Sequence, residues 1–168
     1  MTDKINKINT FNVTYELHGR SVGKMRNEVT GRQIEPSIEP EFKMASDEAG
    51  FHGGEGSAPL PLAYFCTGLV TCLMTQIRAF AKRLRINLDG VDVNALVKWK
   101  ATSKGRDPYE AAPVEFSLDV DMKTNAPLEE QKRLLEAAKK GCFIEATLAN
   151  PIPVKHRIKQ GEDFIGVD

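Results

Sequence analysis

Two cysteines far apart in the sequence, Cys72 and Cys142, are the residues best suited to chemistry in this chain. Cys72 lies within an apolar stretch over residues 61–84, and Cys142 follows a short charged segment. Separated thiols are more typical of redox chemistry than of a metal site, because metal-binding cysteines usually occur as C-x-x-C pairs. Two interpretations are open at this point: the thiols are reactive, or they are small residues of a core.

The apolar stretch holds a third cysteine, Cys66, whose surroundings differ from those of Cys72. Cys66 shares the helical spacing of the neighbouring leucines, so we predict it to be a buried core residue. Cys72 has small and polar helical neighbours, among them Gly68 and Gln76, which leave room beside its thiol for a substrate. Spacing alone leaves both the reactive and the inert interpretation of Cys72 open.

Cys142 directly follows Gly141, which is predicted to end a helix. If a new helical turn begins there, its free backbone N–H groups would favour the thiolate, and Lys139 would help. Glu145 would oppose this effect through its negative charge. The sequence therefore leaves open whether the pKa of Cys142 is raised or lowered.

Composition excludes several classes of function. The chain has 168 residues, which predicts a single domain over residues 1–168. Its 23 basic and 23 acidic residues balance, so no net charge attracts nucleic acid or anionic lipid. We expect no membrane-spanning helix, since no uninterrupted apolar run reaches about 18 residues. The N-terminus has no apolar signal-peptide region, so we expect a cytoplasmic protein whose cysteines are reduced.

Metal and nucleotide sites are not expected either. The three histidines are scattered, and His52 is predicted to be a solvated loop residue rather than a general base. Residues 54–59 imitate a dinucleotide-binding fingerprint, but Pro59 stands where its last glycine belongs. The βαβ context of that motif is also missing. The sequence therefore predicts neither a metal nor a nucleotide cofactor.

Hydrophobic periodicity predicts the element order β-β-β-α-β-β-α-β, which is an α+β fold class because strands come in blocks between helices. Three strands are predicted within residues 11–44, with a turn at residues 18–21 and an edge or irregularity at Pro40. A glycine-rich loop over residues 46–59, a helix over about 59–85 and an antiparallel hairpin over about 91–101 and 116–122 follow. The last predicted elements are a helix capped by Asn125, with Leu128, Gln131, Leu135 and Ala138 on one face, and a strand over residues 152–158.

The first helix is apolar over more than half of its circumference. A helix of this kind is buried on several sides. It is therefore either the central helix of this domain or a helix shared with a second subunit.

The motifs together resemble the OsmC/Ohr family, and the resemblance covers about Phe11 to Ile158. The matching features are Gly53-Gly54, Pro61, the long apolar helix that carries Cys72, Leu88-Asp89-Gly90-Val91, and a later helix that leads to Gly141-Cys142. The resemblance implies an intertwined homodimer, in which two long central helices pack between sheets that draw strands from both subunits.

The resemblance also implies a cysteine-based peroxidase that serves in the oxidative stress response. Cys72 would be the peroxidatic residue that attacks an organic hydroperoxide, and Cys142 would be the resolving residue that forms a disulfide with it. A dithiol, such as a dihydrolipoyl protein, would reduce that disulfide. An arginine from the partner subunit's N-terminal strands would stabilise the Cys72 thiolate, and Arg20 is the best match, with Arg26 as the alternative.

The chain departs from the family pattern at two positions. Peroxidase members usually place a glutamate, which holds the arginine, where this chain has Leu62, and they often have proline where it has Phe143. Glu55 is a hypothetical substitute for the glutamate. These departures keep a second interpretation open, which is a non-enzymatic redox-responsive or small-molecule-binding protein of the same fold.

Overall fold

The structure is a computed structural model that describes residues 9–167. Residues 1–8, on which the expectation of no signal peptide depends, lie outside the described residues. The chain divides into two compact units between Phe65 and Cys66, and each unit is described by itself. The single domain over residues 1–168 stays a prediction.

A three-stranded antiparallel sheet forms most of the first unit. Its strands are β1 (Thr14–Val22), β2 (Arg26–Glu35) and β3 (Ser37–Ser46), in the order β1-β2-β3. Pro40 lies in β3, an edge strand, where its missing N–H group need not pair with a neighbour. The three strands and the edge position of Pro40 were both predicted, and the structure confirms them.

The turn predicted at residues 18–21 is wrong, because those residues lie inside β1. The chain turns at residues 23–25, where Gly23 adopts a φ of 76°. Almost every residue of β1 is exposed, so polar side chains occur within the strand and imitate a turn sequence. Arg20 consequently lies inside a strand rather than at the end of one.

The predicted glycine-rich loop follows β3 and contains a short 3₁₀ turn, Gly50–His52. His52 is exposed in this turn, as predicted. The loop folds back on itself, since the Gly54 and Gly56 N–H groups donate to the carbonyl oxygens of Ala49 and Glu48. A Cβ atom on Gly54 would stand 1.8 Å from the Glu48 oxygen, so this position requires glycine.

Helix α1 spans Pro61–Leu84 and confirms the predicted long helix. Its buried residues lie on one line along the helix: Leu69, Leu73, Ile77 and Ala81. Helix α1 is also long and apolar enough to cross a bilayer, with a mean hydropathy of 1.2 over its most apolar window. The core helix of a soluble protein can have the same length and composition, so this property alone does not indicate a membrane protein.

The second unit contains the predicted hairpin and two further helices. Strands β4 (Gly90–Thr102) and β5 (Glu110–Lys123) pair antiparallel. The elements that follow are α2 (Leu128–Gly141), α3 (Phe143–Ala149), β6 (His156–Gln160) and β7 (Asp163–Val167). The α+β fold class is confirmed.

Three details of the C-terminal prediction are wrong. The last strand is a hairpin, β6–β7, and the apolar residues Ile152 and Val154 lie outside it and are exposed. The N-terminal cap of α2 is Pro127, not Asn125. The predicted face of α2 is wrong at Leu128, which is exposed, and it omitted the buried Leu134. Gln131, Leu135 and Ala138 of the predicted face are half-buried or buried. The sequence had not predicted α3 as a separate helix.

The core of the second unit joins α1, α2 and the start of β4. Its buried residues are Leu73, Ile77, Ala81, Ile86, Val91, Leu134, Ala138 and Cys142. Cys72 packs against this cluster from α1. One predicted thiol therefore lies within the core and the other lies at its edge.

Candidate active site

Two glycines bring α1 close to the segment that joins α2 and α3. A Cβ atom on Gly68 would stand 3.0 Å from the Cδ1 atom of Ile144, and a Cβ atom on Gly141 would stand 2.6 Å from two ring carbons of Phe80. Gly68 lies one helical turn before Cys72, and Phe80 lies two turns after it. The part of α1 that carries Cys72 therefore packs against residues 141–144.

Cys142 lies at the junction of α2 and α3, with extended backbone (φ −77°, ψ 112°). Its carbonyl oxygen accepts the first hydrogen bond of α3, from the Ala146 N–H group, at 2.9 Å. Its side chain is 0% exposed. The backbone N–H groups of Glu145 and Ile144 lower the pKa of its thiol. A new helix does begin after Cys142, the condition under which we expected backbone donors at this thiol.

Cys72 packs against the buried cluster that contains Cys142. Burial raises the pKa of Cys142 to about 11, and the neighbouring Cys72 thiol acts in the same direction. The backbone N–H groups of Glu145 and Ile144 oppose the shift without cancelling it. This settles the sign that the sequence left open, and Cys142 is a protonated thiol at neutral pH.

The surroundings of Glu145 support a weakly solvated environment at this junction. Burial raises the pKa of Glu145, while the nearby positive charge of Lys139 lowers it. The raised pKa is the effect expected of a carboxyl group that has lost water contacts. The same loss of water accounts for most of the shift at Cys142.

A pair of neighbouring thiols can carry out two-electron redox chemistry. If one sulfur is oxidised to a sulfenic acid, the other can condense with it to a disulfide before further oxidation occurs. Disulfide formation requires close, correctly oriented sulfurs, and Cys72 packs against the cluster that contains Cys142. Among residues 9–167, no group of three or more histidine, cysteine or acidic residues could hold a metal ion.

Arg20, the arginine preferred from sequence, lies in the first unit. It is cross-strand partner to Glu28, and its Nη2 atom lies 2.8 Å from a carboxylate oxygen of that residue. The side chain of Arg20 is 67% exposed. Arg20 is therefore engaged in a surface ion pair.

Arg26, the alternative, is held more firmly within the same unit. Its Nη1 atom donates to the carbonyl oxygen of Ser57 at 3.2 Å and to the Ser57 hydroxyl at 2.9 Å. Its side chain is 34% exposed, and its Nε atom lies 3.8 Å from Glu28. Arg26 is thus tied to the glycine-rich loop by two hydrogen bonds.

A buried carboxylate, Asp47, fixes the residue that holds Arg26. Asp47 is 2% exposed and accepts hydrogen bonds from the Ser57 N–H group at 2.9 Å and the Ser57 hydroxyl at 2.8 Å. These bonds lower the pKa of Asp47. No sequence pattern indicated Asp47 or Ser57 as a functional residue. Glu55, the expected substitute for the family glutamate, makes no ion pair among residues 9–167.

The two arginines line a cleft of about 580 Å³ on the sheet of the first unit. His18, Glu28 and Lys43 contribute to the same cleft. Arg20, Arg26 and Lys43 therefore make the cleft rich in positive charge. Glu28 is the carboxylate among its lining residues.

Cys66 differs from its prediction as a buried core residue. It is half-buried, and together with Val70 and Leu96 it lines a cavity of about 550 Å³ between α1 and β4. Position 66 follows the spacing of the apolar residues, but the buried line of α1 begins only at Leu69. Cys66 does not belong to the buried cluster that contains Cys142.

Comparison with known proteins decides the family. The model of the OsmC-like protein family matches residues 54–157, which include α1, both thiols of the pair and α2. The chain belongs to the OsmC-like family. The resemblance stated from sequence is therefore confirmed.

Solved structures of OsmC-like proteins agree with this assignment. An OsmC-like hydroperoxide resistance protein from Jannaschia sp. CCS1 is 43% identical, with a TM-score of 0.64, and the alignment covers 92% of this chain and 98% of that one. An OsmC-like protein from Mycoplasma pneumoniae is 19% identical, with a TM-score of 0.60 and coverage of 82% and 89%, and it supports the fold alone. No curated protein matches the chain.

Proposed function

We propose that this OsmC-like protein is a thiol peroxidase that reduces organic hydroperoxides, with Cys72 as the peroxidatic and Cys142 as the resolving cysteine. The observation that carries the proposal is the packing of Cys72 against the buried cluster that contains Cys142. The 43% identity to an OsmC-like hydroperoxide resistance protein supports a role in peroxide resistance.

The proposed reaction has three balanced steps. The Cys72 thiolate attacks one oxygen of the hydroperoxide, the O–O bond breaks, and the alcohol leaves after it takes up a proton. The Cys142 thiol then attacks the Cys72 sulfenic acid, which forms the disulfide and releases water. A dithiol, such as a dihydrolipoyl protein, finally reduces the disulfide by two electrons and becomes a disulfide itself.

Each thiol has surroundings that suit its proposed step. Cys72 is half-buried, so a substrate of modest size can reach it, while Cys142 is buried next to it. The raised pKa of Cys142 keeps its thiol protonated at neutral pH, which suits a residue that acts only after Cys72 has been oxidised.

The stabilising cation in this proposal is an arginine of the N-terminal strands. Arg20 was preferred from sequence, but the two hydrogen bonds from Arg26 to Ser57 support Arg26. Asp47 and Ser57 would then do the work of the family glutamate whose position Leu62 occupies. This role depends on a fixed guanidinium, which a firmly bonded arginine provides at little cost in side-chain entropy.

We also propose that the active form is a homodimer and that it works in the cytoplasm. Large apolar side chains are exposed in a single chain, among them Leu62 at 54%, Leu96 at 57% and Ile152 at 82%. Exposed apolar surface of this kind is typical of a face that another protein covers. A cytoplasmic location suits a cysteine pair that must be returned to its reduced state.

The experiment is to treat the reduced protein with cumene hydroperoxide and to map its disulfides by mass spectrometry. We expect a Cys72–Cys142 disulfide and, with a dithiol present, continuous peroxide consumption. Cys72→Ser should abolish consumption, and Cys66→Ser, which changes a cysteine outside the pair, should leave it intact. Unchanged thiols after peroxide treatment would rule out the proposal.

Leu62 favours one alternative, a non-enzymatic redox-responsive or small-molecule-binding protein. An exposed leucine occupies the place of the carboxylate that usually holds the arginine. Such a protein would form the disulfide slowly and would not turn over peroxide with any dithiol. Steady-state consumption in the presence of dihydrolipoamide therefore distinguishes the two functions.

A further inference from the structure

The two sulfurs of the pair differ in their access to solvent. Cys72 lies on α1 and is half-buried, whereas Cys142 is 0% exposed. A nucleophile that opens a disulfide must reach one of the two sulfurs directly, so access limits which sulfur it can attack. The structure thus offers an incoming thiol one approachable sulfur.

Close packing keeps Cys142 out of reach. Its buried cluster includes Leu73 and Ile77 of α1 and Leu134 and Ala138 of α2. Next to it, the Phe80 ring packs on the Gly141 backbone with no room even for a methyl group. A thiol that attacked Cys142 would have to open the contact between α1 and α2.

The raised pKa of Cys142, about 11, makes it a slow leaving group, because a thiol of lower pKa leaves a disulfide faster. Leaving-group pKa therefore opposes an exchange in which Cys142 leaves. Access decides the direction, because an incoming thiol cannot reach the buried Cys142 sulfur.

We infer that the reducing thiol enters at Cys72, so that the mixed disulfide forms on Cys72 and Cys142 is the sulfur that leaves. The inference rests on the proposed function and extends it to the reductive half of the cycle. The incoming thiolate bonds to the Cys72 sulfur, the bond to Cys142 breaks, and the electron pair passes to Cys142, which is then protonated. The second thiol of the reductant attacks its own sulfur in the mixed disulfide and releases Cys72.

One consequence concerns the substrates. Hydroperoxide and reductant would both react at the Cys72 sulfur, one with the reduced and the other with the oxidised protein. The two substrates would therefore approach the same half-buried sulfur in turn. A small or extended dithiol can approach such a sulfur more easily than a folded dithiol protein whose cysteines lie in a rigid surface.

The test begins with a disulfide that does not depend on peroxide. The Cys66→Ser protein is oxidised with diamide, mixed briefly with glutathione, quenched with acid, unfolded in urea and then alkylated with N-ethylmaleimide before the pH is raised. Peptide mass spectrometry should find the glutathione mass on the Cys72 peptide and the alkylated thiol on the Cys142 peptide. Glutathione on the Cys142 peptide in equal or greater amount would overturn the inference.

A second measurement uses reduced single-cysteine proteins. Cys66→Ser/Cys142→Ser retains only Cys72, and Cys66→Ser/Cys72→Ser retains only Cys142. With dithiodipyridine, we expect the Cys72 protein to react faster, and equal or reversed rates would contradict the inference. If cumene hydroperoxide fails to oxidise Cys72 and Cys142, the proposed peroxidase function is wrong. Both measurements would still show which of the two sulfurs an incoming thiol attacks.

Discussion

The backbone of Gly141 lies against the ring of Phe80, and a Cβ atom at position 141 would stand 2.6 Å from both the Cε2 and Cζ atoms of that ring. This contact holds the C-terminal turn of α2 against α1 directly beside Cys142. The approach of Cys142 to helix α1, which carries Cys72, therefore depends on the absence of a side chain at Gly141.

Gly141→Ala should separate the two sulfurs. The added methyl group must displace the Phe80 ring or move α2 away from α1, and overpacking of this kind costs about 1–3 kcal/mol of unfolding free energy. We expect slower formation of the Cys72–Cys142 disulfide with diamide, measured by quenched-flow alkylation. Gly166→Ala is the matched control, since a Cβ there meets nothing within 4 Å. Equal rates in both variants would contradict this view of the contact.

The pH dependence of alkylation should report the raised pKa of Cys142, about 11. In a Cys66→Ser background, iodoacetamide should leave Cys142 almost unmodified at pH 8, with a rate that rises toward pH 11. Cys72→Ala removes the thiol whose polar and charge interactions contribute to the shift, so the midpoint should fall. It should stay above the ordinary value, because burial is the larger cause. A midpoint near 9 in both proteins would contradict this account.

Local patterns made much of the fold predictable. Strict alternation located β4 and β5, and continuous apolar character located α1. Strand β1 was misread because its residues are exposed on both faces, so polar residues near Arg20 resembled a turn. Leu128 was placed on the buried face of α2 for a similar reason, because helical spacing does not distinguish an exposed leucine from a buried one.

The candidate site was only partly predictable from sequence. The roles proposed for Cys72 and Cys142 came from the family resemblance, since spacing alone left Cys72 undecided. The burial of Cys142 and the contact between Gly141 and Phe80 depend on tertiary packing between α1 and α2, which no local pattern contains. Asp47 and Ser57 were missed for the same reason, because they lie ten positions apart across an irregular loop.

The two arginines should differ in their effect on peroxide reduction. Arg26 donates two hydrogen bonds to Ser57, whereas Arg20 is 67% exposed and pairs with Glu28 on the surface. We expect Arg26→Gln to slow the reaction of reduced protein with cumene hydroperoxide more than Arg20→Gln does. The Arg20→Gln change should also cost less than about 1 kcal/mol of unfolding free energy, as is typical of exposed ion pairs.

Ser57→Ala tests the same arrangement without removing a charge. It deletes the hydroxyl that accepts from Arg26 and donates to Asp47, so the guanidinium keeps its charge but loses part of its restraint. We expect a smaller loss of rate than with Arg26→Gln, measured by stopped-flow fluorescence or thiol titration. A larger loss with Arg20→Gln than with Arg26→Gln would instead restore Arg20 as the stabilising cation.

Acid should weaken the first unit through Asp47. Hydrogen bonds from Ser57 lower the pKa of this carboxyl group below its unfolded value, so the stability that it contributes is present above about pH 4 and is lost as the pH falls through the lowered pKa. Asp47→Asn should therefore be less stable than the parent at pH 7, with a difference that shrinks in acid. Urea titrations between pH 7 and 3, followed by circular dichroism, measure this difference. Asp119→Asn, a change at an exposed carboxylate, is the control, and an Asp47→Asn difference that does not vary with pH would contradict the prediction.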